Sequence, residues 1–163
     1  MSDIYRLREP SGMALSILAR PRSGDWLEDE IADWHRNSLN TVVSLLESSE
    51  VQELDLAREQ ALCEHHGIAF LSFPLPDRGV PASWAAVAAL VDPLVAKLRA
   101  GQCVGVHCRA GIGRSGLVAA CILVRAGIPF PQVFPILSRA RGVRVPDTEA
   151  QEEWVQAFAK AGI

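Results

Sequence analysis

The stretch His107-Cys108-Arg109-Ala110-Gly111-Ile112-Gly113-Arg114-Ser115 brings together a nucleophile, two glycines and a guanidinium within nine residues. A short apolar run, Cys103 to His107, leads into it, and an apolar stretch from Ser115 to Arg125 leads out. The run predicts a strand and the stretch a buried helix, so the segment between them is a strand-to-helix loop. Successive amides of such a loop converge on one anion, and the helix N-terminus adds about half a positive charge. Gly111 and Gly113 permit the close backbone approach this requires. Arg114 presents a planar fork that matches two oxygens of a phosphate. At the rim, Cys108 is favoured as its thiolate by the same groups, and a thiolate attacks without a separate base. His107 can hold the loop through a ring N–H to a backbone carbonyl. Ser115 can donate to the Cys108 sulfur and help it leave. A free cysteine in a tight turn is the simpler reading. It suits Cys103 and Cys121, but it leaves two glycines, Arg114 and Ser115 in register unexplained.

Hydrolysis of a phosphate ester also needs a proton for the leaving oxygen, and a positioned acid contributes about 10²–10⁴-fold. Asp77 lies in Pro74-Leu75-Pro76-Asp77-Arg78-Gly79-Val80-Pro81, a loop that cannot be regular structure. It follows a strand expected over Ile68 to Phe73, so it falls at the sheet edge where the Cys108 loop falls. The alternative is an ordinary turn aspartate bonding its own backbone. Asp92 lies inside a helix, and Asp147 beside a helix start, where capping explains it.

The arrangement His-Cys-x5-Arg-Ser resembles the signature of the cysteine-dependent protein-tyrosine and dual-specificity phosphatases. The acid loop is similar to that of the small atypical dual-specificity members, including the type that associates with cyclin-dependent kinases and bacterial relatives. The likeness runs from about Thr41 to Phe158, with Val42-Val43-Ser44-Leu45-Leu46, the acid loop and the signature loop in the family's order. The first 25 or so residues carry none of it. The resemblance implies a phosphocysteine intermediate, with Asp77 as acid and then base. It also implies a water-positioning role for Gln151, since Val145 to Gln151 is similar to the superfamily's third loop. Thr148-x-x-Gln151 is equally a capping box, which alone would select glutamine there. The only tyrosine, Tyr5, stands outside any recognition loop, which implies a shallow pocket open to phosphoserine and phosphothreonine as well as phosphotyrosine. Arg109 departs from the small or neutral residue usual after the nucleophile; it either strengthens the local field or points to solvent. Ala110 and Ile112 lack the lysines that lipid- and inositol-phosphate members place in this loop. Arg139, Arg141 and Arg144 lie in a segment expected to border the pocket, but a solvated helix end explains them better. A phosphoinositide or other small-molecule phosphatase is the second reading. Arsenate reduction or sulfur transfer on the same loop is the third, and neither needs Asp77.

Composition agrees. With 163 residues, one domain over 1–163 is expected, and 49% hydrophobic residues can fill its core. Sixteen Lys and Arg against 19 Asp and Glu give −3, which excludes a globally basic nucleic-acid binder. No run of about 18 apolar residues exists, and the first ten residues show no apolar leader, so no membrane anchor is expected. The scattered cysteines, with no C-x-x-C pair, point to a reduced, cytoplasmic setting, no metal and no cofactor. A monomer acting on a phosphorylated protein or peptide is expected. His35, His65 and His66 read as surface or satisfied histidines, and Trp26, Trp34, Trp84 and Trp154 as core or semi-core. Strands are expected over Met13 to Ala19, Thr41 to Leu46, Ile68 to Phe73 and Cys103 to His107. Helices are expected over Trp26 to Arg36, from a Ser49-x-x-Gln52 capping box to about Glu64, and over Ala82 to Ala100, kinked or split at Pro93. Three more are expected over Ser115 to Arg125, Pro131 to Arg141 and Thr148 to Lys160. Together these predict an α/β fold with a mainly parallel central sheet of four or five strands, flanked by helices on both faces. Sites in such sheets form at the carboxyl ends of the strands.

Overall fold

The computed structural model describes residues 3–8 and 12–162. Residues 1–2, 9–11 and 163 lie outside the described residues, and with them part of the stretch read above as lacking a leader. In chain order the elements are β1 (Ile4–Arg6), β2 (Leu15–Leu18), a 3₁₀ turn (Gly24–Trp26), α1 (Leu27–Arg36), β3 (Leu39–Ser44), α2 (Ser48–Glu53) and α3 (Glu59–His65). Then follow β4 (Ala69–Ser72), α4 (Trp84–Arg99), β5 (Cys103–His107), α5 (Gly113–Arg125), α6 (Phe130–Arg141) and α7 (Glu149–Ala161). The strands form one five-stranded sheet in the order β1-β2-β5-β3-β4. All neighbours are parallel except the β1–β2 pair. The α/β fold expected from the sequence is therefore present, with β1 as the fifth strand.

Strand side chains alternate between two cores, one on each face of the sheet. Leu15, Ile17, Val43, Val104 and Val106 pack with α4, α5, α6 and α7. Leu18, Leu39, Val42 and Cys103 pack with α1, α2 and α3. At Gly105 the second face has no room: a Cβ there would lie 2.6 Å from Leu18 Cδ1. The glycine lets Leu18 cross the centre of the sheet.

Two local expectations change. The helix predicted from Ser49 to about Glu64 is two helices, because Asp55 takes a left-handed φ of 55° between them. Its capping box is Glu47 with Glu50 rather than Ser49 with Gln52. Helix α4 runs unbroken through Pro93. Pro93 removes the amide that would bond the Ala89 carbonyl, and both residues face solvent, where water can satisfy that carbonyl. Gly127 follows α5 with a positive φ of 102°, and the expected capping box of Thr148 and Gln151 opens α7.

Candidate active site

The carboxyl ends of β3, β4 and β5 meet at one edge of the sheet: β3 leads to Glu50 on α2, β4 to the loop of Asp77, and β5 to the signature loop. Strand β5 ends at His107, the loop turns through Gly111 at φ +72°, and α5 begins at Gly113. Ile112 holds the N-cap position of α5 and offers no side-chain cap. The first amides of α5 therefore receive no side-chain cap. Cys108 sits at this point, 2% exposed.

Arg114 is 1% exposed, and both of its terminal nitrogens are engaged. Nη1 donates to Glu50 Oε1 at 2.6 Å and to the Leu75 carbonyl at 3.0 Å; Nη2 donates to Glu50 Oε2 at 2.9 Å. Nη2 also lies 3.2 Å from Asp77 Oδ1, which brings the acid loop to the signature loop. Burial works against the Arg114 charge, but the bonds to Glu50 and the charges of Cys108 and Asp77 outweigh it and hold its pKa above the ordinary value. The Arg114 fork in turn holds Glu50 below the usual carboxylate range, against the opposing effect of burial. A carboxylate depressed in the fold contributes stability above its unfolded value of 4.5, and that stability is lost as pH falls through the lower folded value. Denaturant melts at pH 5.5 and pH 3.5 are therefore expected to show a larger loss for wild type than for Glu50→Gln. Equal losses would show that Glu50 carries no such linkage.

His107 is fully buried and bonds Glu59 Oε2 through Nε2 at 2.5 Å. Its Nδ1 lies 3.3 Å from the Cys108 carbonyl, the kind of backbone contact expected of it. Trp34 covers the imidazole, ring centroids 6.0 Å apart. Ser115 Oγ is buried with no hydrogen-bond partner among the described residues. Arg109 does not simply point to solvent. It bonds Glu53 at 3.1 Å, and this pairing raises its own pKa and lowers that of Glu53.

Gln151 is fully buried and its amide is occupied. Oε1 accepts from the Asp147 and Thr148 amides at 3.2 and 3.1 Å; Nε2 donates to the Gly79 carbonyl at 3.2 Å. A Cβ on Gly113 would lie 3.0 Å from Gln151 Nε2, so the glutamine rests on the start of α5. It joins the cap of α7, the acid loop and the signature loop. Arg78, beside Asp77, holds a left-handed φ of 59° and pairs with Asp147 at 2.9 Å.

Arg141 corrects the reading of a solvated helix end. Its Nε donates to the Gly111 carbonyl at 3.0 Å and Nη2 to the Ala110 carbonyl at 3.3 Å. Its guanidinium carbon lies 4.1 Å from the centroid of the Tyr5 ring. The loop carbonyls are thereby drawn toward Arg141. Tyr5, set aside by its position in sequence, backs this support from β1. Trp26 and Trp84 also depart from expectation. They are 57% and 41% exposed, because Trp26 ends the 3₁₀ turn ahead of α1 and Trp84 opens α4 at its surface end. The remaining thiols stay free. Burial pushes Cys63 up to about 12 and raises Cys121 still further, so both are inert core residues.

Glu50, Glu59 and Arg141 were missed as site residues. The signal available for the two glutamates was their place after β3, a buried strand whose carboxyl end must lie at the same edge as β5. Attention to the segments after Phe73 and His107 alone passed over them.

A family model described as "Polymorphic toxin system, DSP-PTPase phosphatase" matches residues 18–128. The chain belongs to the DSP-PTPase phosphatase family. That span includes the acid loop and the signature loop, which the resemblance had singled out. Among DSP-PTPase relatives, protein tyrosine phosphatase domain-containing protein 1 of Mus musculus is 45% identical over 94 residues, 58% of this chain and 12% of its own length. Cyclin-dependent kinase inhibitor 3 of Rattus norvegicus is 30% identical over 110 residues, 64% of this chain and 47% of its own. The matched region thus spans less than half the length of each. The fold is that of a crystallised kinase-associated phosphatase whose catalytic cysteine is replaced by serine. The TM-score is 0.88 at 20% identity, covering 98% of this chain and 95% of that one. Among the described residues no helix is long and apolar enough to cross a membrane.

Proposed function

We propose that this DSP-PTPase hydrolyses phosphate monoesters of proteins through a phosphocysteine, without a metal ion. The observation that carries the reading is Asp77 Oδ1 at 3.2 Å from Arg114 Nη2, beside the uncapped start of α5 and Cys108. A nucleophile, an anion cradle and a carboxyl meet at one point. In the first step the Cys108 sulfur bonds phosphorus, the ester P–O bond breaks, and Asp77 gives its proton to the leaving oxygen. In the second, water bonds phosphorus, the S–P bond breaks, and Asp77 takes the water proton. The unpartnered Ser115 hydroxyl donates to the departing thiolate. Gln151 holds the acid loop through the Gly79 carbonyl with one N–H of its amide, which leaves the second to orient the water. Arsenate reduction and sulfur transfer leave Asp77 without a task. The names of the relatives, a tyrosine phosphatase domain protein and a kinase-associated phosphatase, support a protein substrate, as does a signature loop with no lysine.

The test is hydrolysis in EDTA of p-nitrophenyl phosphate, whose leaving group needs no acid, and of a phosphothreonine peptide, whose leaving group does. Wild type should hydrolyse both. Asp77→Asn should lose about 10²–10³-fold on the peptide and less than about tenfold on the aryl ester. Turnover that stops in EDTA sinks the mechanism, and equal losses on the two substrates remove Asp77 as the acid.

A further inference from the structure

An open cleft of about 540 Å³ lies against the signature loop, sharing Arg109 and Ala110 with it. One wall is the segment after β2, with Arg20, Arg22 and the exposed ring of Trp26; the other is the end of α2, with Glu53 and Asp55. We propose that this cleft is a peptide subsite that reads a residue flanking the phosphorylated side chain, with an apolar side chain of the substrate on Trp26. The proposal rests on the phosphatase reading and names its substrate class.

Four observations carry it. First, Trp26 is, among the described residues, the most exposed of the large hydrophobic residues, at 57%. Its ring is held in place: Arg22 stacks on it at 4.6 Å and is itself fixed by Glu30 at 2.7 Å. A large aromatic kept rigid and open is a contact surface with little ordering cost. Second, the wall is tied to the reaction loop, since Arg20 Nη1 donates to the Arg109 carbonyl at 3.2 Å. Arg20 makes no ion pair among the described residues, so it brings an unmatched charge to the cleft lining. Third, the charges are mixed. Glu53 and Asp55 oppose Arg20, with Arg109 already neutralised by Glu53 at 3.1 Å. A polyphosphorylated headgroup would meet Asp55 and the paired Glu53–Arg109 here with only Arg20 unmatched, whereas a peptide backbone with donors and acceptors finds partners on both walls. Fourth, the cleft shares its floor with the residues next to Cys108, so a chain whose phosphate sits on Arg114 passes over it.

The experiment compares kcat/KM in EDTA for p-nitrophenyl phosphate, for two phosphotyrosine peptide libraries with leucine or glycine at each flanking position, and for phosphoinositide-containing vesicles. Leucine at one or two flanking positions should raise kcat/KM about tenfold over glycine, the size of one well-packed aromatic contact. Trp26→Ala should bring the peptide-to-aryl-phosphate ratio down by the same factor, and Trp26→Phe should restore most of it. Trp26 is exposed, so neither change threatens the fold, and the ratio cancels any general loss. A flat library, or a Trp26→Ala ratio equal to wild type, overturns the subsite while aryl phosphate turnover leaves the phosphatase reading standing. Vesicle turnover above that of every peptide overturns the peptide occupant. A wild type inert toward aryl phosphate in EDTA overturns the phosphatase reading and the subsite with it.

Discussion

Cys108→Ser is expected to cut turnover of p-nitrophenyl phosphate by about 10⁴-fold or more, the scale on which a nucleophile's removal is felt. The cause is the atom alone. Serine is close in size, so the 2%-exposed position between β5 and α5 is filled as before. A serine hydroxyl, however, stays protonated at neutral pH, and no neighbouring base stands ready: the His107 imidazole is committed to Glu59 through Nε2. The anion cradle does not depend on the sulfur. Arg114 keeps Glu50, Leu75 and Asp77, and the amides at the start of α5 stay uncapped. The variant should therefore bind a phosphopeptide within a few-fold of the wild-type Kd while failing to turn it over. Rapid quench with ³²P-labelled substrate should trap acid-stable label, with the lability of a thiophosphate, on wild type and none on the variant. A variant retaining more than about 1% of wild-type turnover would end the phosphocysteine account.

The second large effect is expected from Arg114→Lys, a change that keeps the charge and loses the fork. Wild-type Arg114 makes two bonds to Glu50 and one to Leu75, and lies 3.2 Å from Asp77. A lysine ammonium is a point donor that cannot hold Glu50 in two places and still reach the phosphoryl oxygens. As one preorganised donor is worth about 10²–10³-fold, loss of the fork should lower kcat/KM by about 10³-fold. The Kd for inorganic phosphate should weaken much less, because the charge remains and the amides still bind. The comparison separates transition-state stabilisation from simple attraction. A loss below about tenfold would show that Arg114 serves Glu50 and the loop rather than the phosphoryl group. Melting curves of the variant belong beside the kinetics, since Glu50 is buried and depends on its partner.

Much of this was legible in the chain. Strand periods, Pro–Gly punctuation and the loop between Cys103 and Arg125 placed four strands and the edge at which the site forms. These signals are local, and the structure adds little to them. What was hidden depends on who faces whom across the sheet. Glu50 reads as a helix residue until β3 is seen beside β5, and only then does it lie opposite Arg114, 64 residues on. Arg141 obeys a helix-end rule in sequence, but α6 lies against β1 and delivers it to Gly111 and Tyr5. Trp26 looked like core because aromatic residues near a helix usually are, and a 3₁₀ turn left it outside. Gln151 carried two readings from one motif; its buried amide meets both the cap and the acid loop.

The support behind the signature loop also has a consequence in time. Tyr5, Gly111 and Arg141 touch in the folded protein, and Gln151 closes the set through Gly79. A ribosome makes Tyr5 early, the nucleophile late, and the residues that steady its loop later still. From Gly111 to Gln151 is 151 − 111 = 40 residues, about 2–8 s of synthesis at about 5–20 residues per second. Through that interval the nascent chain carries Cys108 and both glycines without the complete set of groups that brace them. The thiol is thus translated before the residues that brace its loop, and that brace is complete only once α6 and α7 are made.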